Sequence, residues 1–400
     1  MSTSPTLAEI EAAQARIAPH LPVTPVTHAT LLSEELGKTI HIKWDNKFRT
    51  GSFKERGALN FLLSLDPAVR AKGVCTASAG NHALGVSYHC SRLGVPCEIA
   101  VPHNAPLVKI ERCKKFGATI TYQDSLSEAM EYAKALARDT EVTYVPPFDH
   151  EFIVQGQGVA GLEILDQVPD FDSVVIPVGG GGYAAGVATA IKAKRPDVYV
   201  MGVCSEWALR MRQSPELHSS QFPQMTIADG IAVKRIGAVT GPILDRYVDK
   251  IVPVSETAIA HAIIMLLEKE RVVAEGAGAA GLAGIVEGHL PDRCQKPVLF
   301  ICGSNIDMNL LSRLIEQDMG ERGRLLRVNI SLPDRPGMLH SITGIIASQG
   351  ANVLQVHHDR FYARLPGYVD ITVVMEVRNR AHGVQLIQHL NDAGLPTQKV

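Results

Sequence analysis

Four short stretches of this sequence combine residue types that could do chemistry. In TGSFKERGA, residues 50–58, Lys54 follows Gly51, Ser52 and Phe53 and opens a basic, helix-forming run. A lysine amine that forms a Schiff base needs an anchored backbone, an apolar or aromatic wall and a helix start beside its partner. All three features occur together here, although an isolated lysine is most often solvated. In SAGNHALG, residues 78–85, Ser78 and Asn81 stand where a strand passes into a helix. Both read as caps of that helix, whose starting amides suit a carboxylate. His82 taken alone reads as a satisfied core histidine.

In DSVVIPVGGGGYAAGVATAIK, Gly179, Gly180, Gly181 and Gly182 lie between an apolar strand and a helix. A tight turn accounts for one or two glycines, whereas four suit an anion cradle of unshielded amides. GGGGYA also satisfies the loose dinucleotide fingerprint, with Glu206 near the distance of a ribose-binding acid, so nicotinamide chemistry stands as an alternative. The strand PVLFIC ends in Cys302, followed by Gly303, Ser304 and Asn305. A cysteine in that position is usually a small apolar filler.

Together these strings resemble the fold-type-II pyridoxal-phosphate family, specifically its threonine/serine dehydratase branch. The resemblance implies that Lys54 carries pyridoxal 5'-phosphate as a Schiff base and takes the substrate α-proton, with Phe53 near the ring. It implies that Ser78 and neighbouring amides hold the substrate carboxylate, that Asn81 meets the phenolate oxygen, and that Gly179, Gly180, Gly181 and Gly182 grip the phosphate. By the same resemblance Cys302 faces the pyridine nitrogen. PFDHEFIVQGQG (147–158), IADGIAV (227–233) and VVAEGAGAAGLAG (272–284) extend the likeness, with Glu275 either packing or part of the site.

The departures are informative. Leu84 stands where the family usually has glutamine, Tyr183 where it has leucine, and Cys302 where serine is common. Cys204 stands where some relatives place an acidic metal ligand, so no residue is assigned to a metal and a divalent cation is not expected, while a monovalent ion held by backbone carbonyls stays open. Ala79 replaces the serine of related serine racemases, and alanine cannot transfer a proton, which favours elimination over racemisation. A neutral thiol at the pyridine nitrogen leaves the ring a weaker electron sink, which fits rapid loss of a β-leaving group. The implied activity is deamination of L-threonine to 2-oxobutanoate and ammonia, with L-serine to pyruvate beside it. The alternatives are a serine racemase or hydroxyaspartate dehydratase, an NAD-dependent dehydrogenase, and a non-catalytic amino-acid sensor.

The elements that must position these groups follow from the apolar pattern. From about residue 40 to 305, short β-branched runs (IHIKW, GVCTAS, PCEIAVP, ATITYQ, VTYVPP, SVVIPV, VYVMGV, KIVPVS, PVLFIC) alternate with Ala/Leu-rich helical stretches. That alternation predicts α/β architecture with parallel sheet. The resemblance adds detail: two open twisted sheets with helices, as in the tryptophan synthase β fold, within residues 1–322, the smaller part at about 52–153.

Beyond Arg324 the order becomes strand, helix, strand, strand, helix, a ferredoxin-like pattern over 325–400. LPDRPGMLHSITGIIASQGANVLQVHHDR, residues 332–360, resembles an ACT domain, in which Gly337 and Asn352 match ligand-contact positions. This implies an amino-acid effector, isoleucine or valine, acting through paired subunits in a homodimer or homotetramer.

Composition limits the partners. The formal net charge of −2 provides no basic field for nucleic acid or an anionic membrane, so a small amino acid is the expected partner. Seven cysteines lack the paired short spacings of a zinc site and fit a reducing cytoplasm. No stretch reaches the roughly 18 apolar residues of a membrane span, and the N-terminus has no signal-peptide pattern. A cytoplasmic enzyme is expected.

Overall fold

A computed structural model describes residues 4–213, 226–360 and 367–400. The chain forms two compact units, Met1–Ile306 and Asp307–Val400.

The nine β-branched runs of the first unit become strands in two sheets. The larger has the order Val26–His28, His41–Trp44, Pro297–Ile301, Ser173–Pro177, Tyr199–Ser205, Lys250–Val254. Its pairings are parallel except at Val26–His28, a short antiparallel edge strand that the sequence pattern did not reveal. The smaller sheet has the order Thr119–Gln123, Cys97–Pro102, Val74–Ala77, Thr143–Tyr144, all parallel. The central strands Ser173–Pro177 and Pro297–Ile301 are buried throughout, which is why they read as continuous apolar runs rather than alternating ones.

The chain runs outward from Ser173–Pro177 to Tyr199–Ser205 and Lys250–Val254, then returns to place Pro297–Ile301 on the other side. Connections therefore diverge between two adjacent strands. At such a switch point the loops beyond the strand C-termini open a crevice, and here those loops hold Gly179–Gly182 and Cys302–Asn305.

Glycine inside a helix costs about 1 kcal/mol relative to alanine, yet Glu151–Gln167 and Gly182–Lys194 contain several. Close backbone approach explains them: a Cβ on Gly186 would lie 2.3 Å from the Val154 carbonyl oxygen, and one on Gly158 would lie 2.9 Å from that of Gly186. Small residues thus seat the helix of the glycine loop directly against its neighbour. The helix Glu256–Met265, capped by the Ser255 hydroxyl, passes into a wider turn ended by Arg271 at φ 58°.

In the second unit the helix Met308–Glu321 leads into an antiparallel sheet of order Asn352–Asp359, Tyr368–Glu376, Leu325–Pro333, Thr397–Lys399. Helices Met338–Ser348 and Arg380–Asp392 contribute Ile342, Ile346, Leu386 and Leu390 to its core. The closing strand Thr397–Lys399 completes the ferredoxin-like pattern and was not legible in the sequence.

Candidate active site

Lys54 is the first residue of the helix Lys54–Ser64, and its backbone is anchored from the neighbouring loop. Phe53 N–H donates to the Cys302 carbonyl (3.0 Å), Ser304 N–H donates to Gly51 O (2.9 Å), and Ser52 pairs with Gly303 as an isolated antiparallel bridge. The lysine loop and the loop beyond Pro297–Ile301 are therefore one structure. Lys54 Nζ donates to the Pro147 carbonyl at 2.9 Å and lies 5.1 Å from the centre of the Phe53 ring. Lys54 is only half-buried, yet the surrounding protein desolvates its ammonium and lowers it to about 8, against the opposing pull of Cys302 and Glu275. A lysine so placed gives up its proton readily, as a nucleophile or base must.

The glycine run begins where Ser173–Pro177 ends. Gly181, at φ 98°, is the N-cap of the helix Gly182–Lys194, a conformation that costs L-residues with a Cβ. The carbonyls of the run are taken up by the protein. Arg212 Nη2 donates to Gly179 O (2.7 Å), the Thr240 hydroxyl donates to Gly180 O (2.7 Å), and Ala185 N–H donates to Gly181 O (2.8 Å). Phe148 closes one side: a Cβ on Gly180 would lie 2.4 Å from its ring. The first N–H groups of a helix have no partner within it, so this loop presents amides to an anion.

Asn81 opens the helix Asn81–Leu93 and belongs to a polar cluster reaching across the site. Its Nδ2 donates to Glu275 Oε1 (2.6 Å), and its Oδ1 accepts from Asn305 Nδ2 (2.8 Å). Glu275 Oε2 accepts from Asn305 N–H (3.0 Å), while Arg112 Nη1 donates to Asn305 Oδ1 (2.8 Å). Burial pushes Glu275 up to about 7, helped by Asp229 and opposed by Lys109, Asn81 and Asn305. Gly303 must be glycine, because a Cβ there would lie 2.0 Å from Glu275 Oε1. Burial holds Cys302 well above its ordinary range, so it is a neutral thiol, donating to Ala277 O at 3.6 Å.

The other expected residues are placed more loosely. Ser78 Oγ accepts from Gly80 N–H (3.2 Å) at the entrance to the Asn81 helix, and Ala79 beside it packs on the apolar core of the smaller sheet. His82 is buried with Nε2 3.1 Å from the Val145 carbonyl, and burial lowers it to about 3, so it is a neutral core residue. Glu206 is exposed at the start of its helix. Cys204 is buried in its strand, and among the described residues no group of three or more His, Cys, Asp or Glu could hold a metal ion.

The structure thus joins Lys54, Phe53, Asn81, Cys302 and the glycine run, and leaves Ser78 at the rim of the Asn81 helix start. Asn305, Arg112, Phe148 and Thr240 join the site without having been singled out from sequence. Asn305 and Phe148 fall inside or beside quoted motifs. Arg112 has no local signal, since its partner is 193 residues away.

A desolvated lysine, a glycine loop at a helix start and a neutral buried thiol, meeting beyond the ends of parallel strands, define a cofactor-dependent α/β enzyme. A family model described as "Pyridoxal-phosphate dependent enzyme" matches residues 17–303, and one described as "ACT domain" matches residues 326–393. The chain belongs to the family of pyridoxal-phosphate dependent enzymes and carries a C-terminal ACT domain.

An L-threonine ammonia-lyase of Thermotoga maritima is 39% identical over 381 residues, 94% of this chain and 95% of that one. One of Geobacter sulfurreducens is 38% identical over 391 residues, 96% and 97% of the two chains. Among solved structures, maize serine racemase matches with a TM-score of 0.72 at 33% identity, covering 80% of this chain and 99% of its own. A threonine deaminase from T.th. matches with a TM-score of 0.70 at 37% identity, covering 76% and 99%. The family excludes the nicotinamide reading of GGGGYA.

The residues present fit the cofactor. Lys54 supplies an easily deprotonated amine, and the strand-to-helix loop Gly179–Gly182 is sterically closed to side chains on its Phe148 and Thr240 sides. Cys302 is a buried thiol within electrostatic reach of Lys54.

Proposed function

We propose that this chain is a threonine ammonia-lyase, converting L-threonine to 2-oxobutanoate and ammonium by β-elimination of water, and L-serine to pyruvate in the same way. The observation that carries this reading is the convergence of the desolvated Lys54, the glycine loop and the Asn81–Glu275–Asn305 cluster on one crevice. Full-length similarity to two L-threonine ammonia-lyases supports the choice of substrate.

Bound pyridoxal phosphate supplies an electron sink that makes the Cα–H of an amino acid acidic. Lys54 holds it covalently, and its Nζ is the base for the α-proton. Phe53 is the aromatic wall, the amides of Gly179–Gly182 hold the phosphate, and Asn81 binds the phenolate oxygen. Ser78, with the amides at the start of Asn81–Leu93, binds the substrate carboxylate. Cys302, a neutral thiol, would lie toward the ring nitrogen of the bound cofactor and would not enforce full protonation there. Ala79 carries no group that could transfer a proton on the face away from Lys54, which favours elimination over racemisation.

The catalytic domain is proposed as residues 1–322, with the smaller part at about 52–153, and the ACT domain as 325–400. The ACT unit is the regulatory part. A cavity lined by Asp334, Arg335, Gly337, Met338, His358 and Arg360 is the proposed seat of an amino-acid effector. Asn352, expected as a second contact, pairs with Glu376 in the sheet and is outside that lining. The working form is a cytoplasmic homodimer or homotetramer.

The test is 2-oxo acid release from L-threonine and L-serine by wild type and Lys54→Ala, with visible absorbance of the bound cofactor recorded alongside. Positioned acid–base groups contribute about 10²- to 10⁴-fold, so at least that loss is expected in the variant, with the cofactor absorbance gone. A colourless wild type, inactive with added pyridoxal phosphate, sinks the reading.

A further inference from the structure

Tyr183 directly follows the glycine run and is 4% exposed. Its ring lies 4.2 Å from that of Phe53, tilted by 33°, and meets Phe300 edge-on at 5.7 Å. One neighbour is thus adjacent in sequence to Lys54 and the other lies two residues before Cys302. The Tyr183 hydroxyl donates to Asp45 Oδ2 at 2.6 Å.

Asp45 is fully buried and accepts from Arg56 Nη2 at 2.9 Å and Nε at 3.0 Å, and from the Thr24 hydroxyl at 2.5 Å. Arg56 is on the lysine helix, two residues past Lys54, and also donates to both oxygens of Glu163 at 2.7 Å. A single side chain therefore touches the wall beside the lysine, the strand leading to the thiol and the ion cluster that pins the lysine helix. It is itself the second residue of the glycine-loop helix. An aliphatic residue of similar size fills the space but cannot bond the buried carboxylate.

We propose that Tyr183 is a positioning residue that holds the glycine loop at a fixed distance from the Lys54 loop, so that the phosphate and ring ends of pyridoxal phosphate are gripped together. This rests on the assignment of the phosphate to Gly179–Gly182. Through its hydroxyl the loop is tied to Asp45, and by way of Asp45 to Arg56, and through its ring to Phe53. Loss of the hydroxyl leaves Asp45 still paired with Arg56 and Thr24, so Tyr183→Phe keeps its buried charges satisfied.

The experiment titrates apo-protein with pyridoxal phosphate and with pyridoxal, which lacks the phosphate, following absorbance and protein fluorescence. The readout is the ratio of the two affinities. In wild type this ratio strongly favours the phosphate form. In Tyr183→Phe it falls by about tenfold, the equivalent of one hydrogen bond's worth of coupling, and in Tyr183→Leu, which also loses the ring, it falls further. A core-filling role would weaken both ligands equally or lower only the melting midpoint, and an unchanged ratio in both variants overturns the proposal. A wild type that binds pyridoxal as tightly as its phosphate overturns the phosphate assignment itself, and the proposal with it.

Discussion

Two glycines do the same backbone job in the two units and sit in opposite surroundings. Gly181 (φ 98°) caps the helix Gly182–Lys194, and Gly337 (φ 91°) caps the helix Met338–Ser348. Each places helix-start amides where a small anion or carboxylate could be bound. Around Gly181 the protein is already complete: a Cβ would lie 2.9 Å from both Leu244 Cδ1 and the Thr240 hydroxyl. Around Gly337 nothing lies within 4 Å of the same point, and Asp334, Arg335 and Arg360 beside it are exposed. A rigid pocket built from buried, mutually bonded groups suits chemistry, where misplacement by a fraction of an ångström is costly. An open pocket of exposed charges suits a ligand that is itself the missing partner.

The comparison breaks first at Gly181. Alanine there has to adopt a left-handed backbone at about 1–2 kcal/mol and also overpack its surroundings at about 1–3 kcal/mol. It must displace Thr240, whose hydroxyl holds the Gly180 carbonyl at 2.7 Å. Gly181→Ala is expected to lower stability by roughly the sum of those terms and to weaken pyridoxal phosphate more than any change near Gly337. Thermal melting of apo- and cofactor-loaded protein reads both effects, and a loaded protein that melts like wild type contradicts the rigid-pocket account.

A smaller effect tests the buried charges that only the first site possesses. Glu275 is raised from 4.5 to about 7, so between those values the folded protein holds a proton that the unfolded chain has released. Apo-protein stability therefore falls as pH rises across that window. Lys54 is lowered from 10.5 to about 8, so between those values the unfolded chain binds the extra proton and stability rises with pH. Glu275→Gln is expected to flatten the acidic slope. Because Glu275 also favours the charged form of Lys54, the same variant should move the pH midpoint of cofactor uptake by apo-protein below about 8. Melting midpoints and reconstitution rates against pH check the two shifts; an unchanged acidic slope removes Glu275 from the account.

The same contrast explains what could be read from sequence. Buried strands such as Ser173–Pro177 and Pro297–Ile301 announce themselves by apolar runs, and Lys54, Asn81 and the glycines lie in strings whose backbone needs restrict the residue types. Val26–His28 and Thr397–Lys399 are too short to show an alternating pattern. The polar cluster around Glu275 was half visible: Glu275 and Asn81 could each be named, but neither their pairing across 194 residues nor Arg112, which joins the cluster through Asn305, could be read. Tyr183 was noticed only as a departure from leucine. Its meaning depends on Asp45, 138 residues distant, and no local pattern encodes that pairing.

Gly337→Ala carries the smallest expected effect and closes the comparison from the other side. With open space around the new Cβ, the only cost is the left-handed backbone, about 1–2 kcal/mol. The nearby Arg360–Asp334 pair at 3.0 Å is exposed on both sides and worth at most about 1 kcal/mol, so it cannot force a larger response. The variant should still fold, with its melting midpoint lowered less than in Gly181→Ala. Binding of the proposed amino-acid effector, followed by calorimetry with isoleucine and valine as probes, should weaken because the helix-start amides shift with the backbone. A loss of stability equal to that of Gly181→Ala would mean that Gly337 is as enclosed as its counterpart, and the distinction between a finished site and one completed by its ligand would fail.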